Sequence, residues 1–145
     1  MLKISILDKH AIFRTGLSIV LQNEYPDSII TQSNTLTYTH SQDHELIIFG
    51  VNNINDILEL NTKIEDVIKK VPVIVILESI FKGPQIADLL NFRANGYLTK
   101  TLSIHELISC ISVALKGGAY TNREILLSLE KTSVPSKHRI PPTES

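Results

Sequence analysis

The alternation of short β-branched apolar runs with longer stretches at helical spacing constrains this chain more than any other feature, because a parallel sheet with crossover helices requires it. Lys3-Ile4-Ser5-Ile6-Leu7 reads as a first strand that ends at Asp8. Residues 11–23 follow as a helix on which Ile12, Leu17, Ile19, Val20 and Leu21 form a broad apolar stripe. Tyr25-Pro26-Asp27 stops it before a second strand at residues 28–32. Leu46-Ile47-Ile48-Phe49 and Val73-Ile74-Val75-Ile76-Leu77 are unbroken apolar runs, as expected of central strands buried on both faces. Gly50 terminates the first, Pro72 precedes the second, and Tyr97-Leu98-Thr99 is a short last strand.

The intervening segments read as helices. Residues 54–70 carry apolar side chains near helical spacing, and a further helical pattern ends near Asn95-Gly96, where Gly96 suits a left-handed C-cap. Ser103 and Glu106 make a capping box opening a helix with Leu107, Ile108, Ile111, Val113, Ala114 and Leu115, closed by Gly117-Gly118. Thr121 and Glu124 make a second box before a short helix. Residues 33–44 are rich in Ser, Thr and Asn, which predicts at best a short helix and local mobility. From Lys131 the composition turns to Ser, Pro, Lys and His, so residues 1–130 read as one unit and residues 131–145 as a linker or tail. The expected class is α/β, with a doubly wound five-stranded parallel sheet between helical layers.

Composition narrows the function classes. A 43% hydrophobic chain with 14 basic and 15 acidic residues excludes a polybasic nucleic-acid arm, an acidic tail and a disordered composition. Cys110, the one cysteine, rules out an internal disulfide and a zinc cluster, and is expected to pack as a small apolar residue. The start carries neither an apolar signal-peptide core nor a membrane span, so a cytoplasmic protein without membrane contact is expected. His40, His44, His105 and His138 have no metal-ligand spacing, and His10 has no nucleophile with an orienting acid beside it.

Open α/β sheets place ligand sites at the carboxyl ends of their strands. That edge collects Asp8-Lys9, Gly50, Leu77-Glu78 and Lys100. Asp8-Lys9-His10 after strand one, Gly96-Tyr97-Leu98-Thr99-Lys100 at strand five and Gly117-Gly118-Ala119-Tyr120 before the last helix resemble the response-regulator receiver domain, in its NarL/FixJ (LuxR-type) branch. The resemblance spans residues 1–130 and implies the flavodoxin-like three-layer sandwich. In that family strand one ends in an acidic pair that holds Mg²⁺, strand three in the Asp that takes a phosphoryl group, strand four in Thr or Ser and strand five in Lys. Here Asp8 matches the first acid, Lys100 the lysine and Tyr97 the switch aromatic. Lys9 stands at the second acid, Gly50 at the phospho-accepting position and Leu77 at the hydroxyl, with Glu78 just beyond.

The resemblance therefore implies a degenerate phosphorylation pocket, and elementary chemistry agrees. Mg²⁺ needs several hard oxygens in octahedral array, and this edge offers one sure carboxylate beside an ammonium, so no cofactor and no strong Mg²⁺ binding are expected. Gly50 has no nucleophile; Asp56, six residues on and without flanking acids, is the weaker alternative acceptor. A buried ammonium needs a carboxylate, and Asp8 and Glu78 are the expected partners of Lys9 and Lys100. Lys9 is then either a tethered cation in place of the metal or a solvent-facing loop residue. On the first reading Lys9→Asp with Gly50→Asp should restore Mg²⁺ binding.

The leading expectation is a regulator domain that acts without aspartyl phosphorylation, through a homodimer or a heterodimer with another regulator. The alternatives are a module sensing a small anion or nucleotide and, least favoured, an enzyme. Ile12, Phe13, Leu17, Ile104, Ile108, Ile111 and Leu115 belong mostly to the core, with some at an interface. The resemblance nominates two dimer faces: the first and fifth helices, or the fourth helix, fifth strand and fifth helix. Ile140-Pro141-Pro142-Thr143-Glu144-Ser145 is similar to the start of the helix-turn-helix domain that follows such receivers, so DNA contact is expected through a domain not in this chain.

Overall fold

A computed structural model of the protein describes residues 2–34, 44–53, 55, 56, 58, 59, 71–78, 89 and 92–127. The strands are β1 (Lys3–Leu7), β2 (Ile29–Ser33), β3 (Leu46–Val51), β4 (Val73–Leu77), β5 (Gly96–Thr99) and β6 (Tyr120–Thr121). They form one parallel sheet in the order β2-β1-β3-β4-β5-β6. The α/β doubly wound class is thus as expected, with two-residue β6 added beside β5 as a sixth strand. The long described helices are α1 (Ala11–Glu24) and α2 (Ile104–Leu115). No helix among the described residues is long and apolar enough to cross a membrane.

The apolar runs account for the centre. Every residue of β3, β4 and β5 is buried, whereas the edge strand β2 is mostly exposed. Alternate strand residues feed two cores. Ile4, Ile6, Leu46, Ile48, Ile74, Ile76 and Leu98 pack under α1 and α2, against Leu17, Leu21, Leu107, Cys110, Ile111 and Ala114. Leu7, Ile47, Phe49, Val51, Val75, Leu77 and Tyr97 face the other way, toward Leu89, Phe92 and Ile125. Because α1 and α2 cover the same face, a groove runs between them that opens toward the carboxyl edge of the sheet.

Several local expectations are corrected. Gly50 does not end β3: the strand runs on to Val51, with Gly50 opposite Ile76 and Val51 opposite Leu77. Gly96 is no helix cap but the first residue of β5, and the positive φ of that turn falls on Arg93, at 61°. A Cβ at Gly96 would overlap Cys110 Sγ and come within 3.2 Å of Ile74 Cγ1, so close approach of α2 explains the glycine. The second capping box shifts by one residue, with Asn122 Oδ1 accepting from the Ile125 N–H at 3.0 Å and Thr121 lying in β6. The Ser103 cap forms as expected, its side chain accepting from the Glu106 N–H at 3.0 Å. On α1 the stripe is narrower than read, since Ile12 is 89% and Ile19 59% exposed. The helices expected over 54–70 and before Asn95 lie largely outside the described residues, as do most of segment 33–44 and the whole of 131–145.

The crowding at Gly96 gives a stability test. Gly96→Ala should destabilise the fold by about 1–3 kcal/mol, the usual cost of overpacking. Adding Cys110→Ala should recover part of the loss in urea titrations, because the obstacle is a side chain. Burial pushes the Cys110 thiol up to about 12, with the Glu106 charge adding to the effect. Cys110 should therefore resist thiol reagents at neutral pH until the chain unfolds.

Candidate functional site

Parallel pairing brings the ends of β1, β3, β4 and β5 to one edge, where Asp8, Gly50, Glu78 and Lys100 meet. Asp8 is 3% exposed. Its Oδ1 accepts from the His10 backbone N–H at 2.7 Å and from Asn52 Nδ2 at 3.2 Å. Its Oδ2 lies 3.2 Å from Lys100 Nζ, as an ion pair outside hydrogen-bond alignment. The carboxylate leans into the space above Gly50: a Cβ there would overlap Oδ2 and stand 2.5 Å from Asp8 Cγ. Asp8 thus fills the volume that a side chain at position 50 would take.

Lys100, its side chain only 13% exposed, is the cation of this cage. Nζ donates to Asn52 Oδ1 at 2.6 Å, meets His10 Nδ1 at 3.2 Å and lies 3.8 Å from Glu78 Oε2. An ammonium has only donors, so His10 Nδ1 accepts in this arrangement. Nζ also sits 4.4 Å from the centroid of the Phe13 ring, within cation–π range. Asp8 and Glu78 are therefore the partners of Lys100, as expected.

They are not the partners of Lys9. Lys9 turns the other way, placing Nζ 2.7 Å from Asp56 Oδ1 and 3.8 Å from Glu59 Oε1. The hydrogen bond to Asp56 raises the Lys9 pKa above its ordinary 10.5, against a smaller loss from desolvation. The side chain is 48% exposed, so a solvent-facing stem carries an ammonium that is nonetheless paired. Asp56 itself is 2% exposed. Its Oδ2 accepts from the backbone N–H groups of Asn52 at 2.8 Å and Asn53 at 3.3 Å, and its own N–H donates to Asn53 Oδ1. With both oxygens held and burial nearly complete, Asp56 is poorly placed as a nucleophile.

The remaining expected site residues fall outside the cage. Leu77 is fully buried in the core and offers no hydroxyl. Tyr97 points inward: its hydroxyl donates to Leu89 O and accepts from the Ala94 N–H, each at 3.0 Å, and burial raises its pKa. The residue missed from the sequence is Asn52, whose side chain joins Asp8 to Lys100 while its N–H reaches Asp56. Only its position just after an apolar strand could have pointed to it.

The donor set does not fit the Mg²⁺ that the resemblance to receiver domains implies. The space bounded by Asp8, Lys9, Gly50, Asp56 and Glu59 is about 10 Å³, room for roughly one water. Mg²⁺ keeps several waters and near-ideal octahedral geometry. An anion is no better served, since the two ammonium groups face four carboxylates, those of Asp8, Asp56, Glu59 and Glu78.

The groove between α1 and α2 is the second feature of this end. It encloses about 400 Å³ and is lined by Ile12, Phe13, Gly16, Leu17, Ile104 and Leu107, with Lys100 at one end. Ile12 and Ile104 are exposed, at 89% and 54%, as is Leu115. Phe13 and Ile108 are partly buried, whereas Ile111 is wholly in the core and Leu17 is 7% exposed.

Lys9→Met should destabilise the fold by about 1–2 kcal/mol, less than for a fully buried pair because Lys9 is half exposed. A raised folded-state pKa contributes stability that is present below the unfolded pKa and lost as pH rises through the folded one. The gap in urea midpoint between wild type and Lys9→Met should thus hold steady from neutral pH upward and narrow above 10.5.

No protein-family model matches the chain, and no curated protein matches it. Solved structures do. A LuxR family DNA-binding response regulator from Silicibacter pomeroyi aligns over 86% of this chain and 99% of its own, at 18% identity and a TM-score of 0.66. The RcsB response regulator of Salmonella typhimurium aligns over 99% of this chain and 72% of its own, at 17% identity and a TM-score of 0.74. A response regulator receiver protein from Pseudoalteromonas atlantica aligns over 79% and 98%, at 19% identity and a TM-score of 0.61. At such identities the likeness is one of fold, and the fold is the flavodoxin-like one of response-regulator receiver domains.

Proposed function

We propose that this chain is a receiver-like domain of a transcriptional regulator that works without aspartyl phosphorylation, through association across its α1/α2 face. The observation that carries the first half is Gly50: the β3 position that would present a nucleophile has no side chain, and Asp8 occupies its space. Lys9 and Lys100 supply internal cations to the carboxylates at this edge. The protein's role on this reading is contact, not turnover, in the cytosol. DNA contact belongs to a domain beyond the 131–145 linker, a reading supported by the DNA-binding regulators among its structural neighbours.

The second half rests on α1. Gly16 sits mid-helix, where glycine is about 1 kcal/mol worse than alanine, and a Cβ there would meet nothing within 4 Å. Among the described residues no contact calls for it. A notch beside the exposed Ile12 suits a second helix approaching closely, that of another copy of this chain.

Two measurements test this. After treatment with Mg²⁺ and a small phosphodonor, intact mass should show no adduct; an adduct on Asp8 or Asp56 would contradict the reading. In sedimentation across a concentration series the chain should dimerise, and Ile12→Glu with Ile104→Glu should return it to a folded monomer with unchanged far-UV circular dichroism. A wild-type monomer throughout would contradict association through the α1/α2 face.

A further inference from the structure

We propose that Lys100 couples the polar cage to the α1/α2 face, so that the charge on Asp8 sets how tightly that face associates. The inference rests on the self-association proposed above and adds how it is controlled. Lys100 belongs to both places: its ammonium is held by Asp8, Asn52 and His10, and its side chain walls the groove beside Phe13, Leu102 and Ile104. Its backbone is fixed, with N–H donating to Leu77 O at 2.9 Å and the Leu102 N–H donating to Thr99 O at 3.1 Å. Motion at this point is therefore motion of the side chain.

With Asp8 ionised, the ammonium is drawn inward, lies over Phe13 and presents its methylene stem to the groove. Removing the Asp8 charge leaves Asn52 as the one inner acceptor, because His10 is 53% and Glu78 40% exposed, the latter 3.8 Å away. Hydration then competes for the ammonium. A Lys100 turned outward places a charge at the mouth of an apolar groove, and association would have to strip its water. The sign follows: neutralising Asp8 weakens association. Losing the charge on Lys100 as well removes the penalty, because a neutral side chain has no reason to leave Phe13.

The experiment is sedimentation of wild type, Asp8→Asn and the double variant Asp8→Asn with Lys100→Met, alongside NMR of the Phe13 ring and the Ile12 and Ile104 methyls. Asp8→Asn is expected to raise the dimer Kd by about fivefold or more, as typical couplings do, with the double variant returning near wild type. The Phe13 and Ile104 resonances should shift in Asp8→Asn and move back in the double variant. An unchanged Kd in folded Asp8→Asn, or a double variant as weak as the single, would overturn the coupling. If wild type proves monomeric, association fails on its own account, and the resonances alone decide: no shift in Asp8→Asn overturns the coupling too. Should Asp8→Asn not fold, Asn52→Ala removes the 2.6 Å acceptor of Lys100 and is expected to act in the same direction, with an unchanged Kd and unshifted resonances counting against it.

Discussion

Asp8 reaches across the space above Gly50 to Lys100, and the organisation of this end of the molecule follows from that contact. A carboxylate this deeply buried requires a counter-charge and hydrogen bonds, because desolvation of an unpaired charge costs several kcal/mol. Lys100, Asn52 and the His10 amide provide them. Only a glycine at position 50 leaves the room. The absence of a side chain there and the ion pair are two sides of one packing solution. Lys9→Asp with Gly50→Asp, the pair of changes that sequence reasoning suggested would rebuild a metal site, must therefore also displace Asp8.

The second cation closes the other half of the edge. Lys9 binds Asp56, whose remaining oxygen accepts from the Asn52 and Asn53 amides, so the segment after β3 is tied to the loop after β1. Asn52 belongs to both halves, through its side chain to Asp8 and Lys100 and through its amide to Asp56. The carboxylates of Asp8 and Asp56 are thus each paired with a covalently attached ammonium group. A tethered cation differs from a metal ion in being always present.

Much of this architecture was legible in the sequence. The apolar runs of β3 and β4 identify buried central strands because nothing but a two-sided core accommodates them. The chain order of β-α units then brings Asp8, Gly50, Glu78 and Lys100 to one edge. Less was legible where a residue's role depends on a neighbour distant in sequence. Gly50 and Gly96 read as terminators or caps, yet both mark close approaches, to Asp8 and to Cys110. Ile12 and Ile19 fit a helical stripe but lie on its outer side. Lys9 had two plausible acids nearby in the topology, and its pairing with Asp56 depends on the path of the chain after β3.

On the function proposed above, internal cations and a missing side chain take the place of a metal site at this edge. Mg²⁺ titration of the intact chain, followed through the backbone amide resonances of Asp8, Gly50, Asn52 and Lys100, reads whether this edge takes a metal ion. No saturable shift is expected at these amides into the millimolar range, because Lys100 already holds Asp8 and the space between Asp8, Gly50 and Asp56 admits about one water. A saturable shift centred on Asp8 and Gly50 would contradict that proposal.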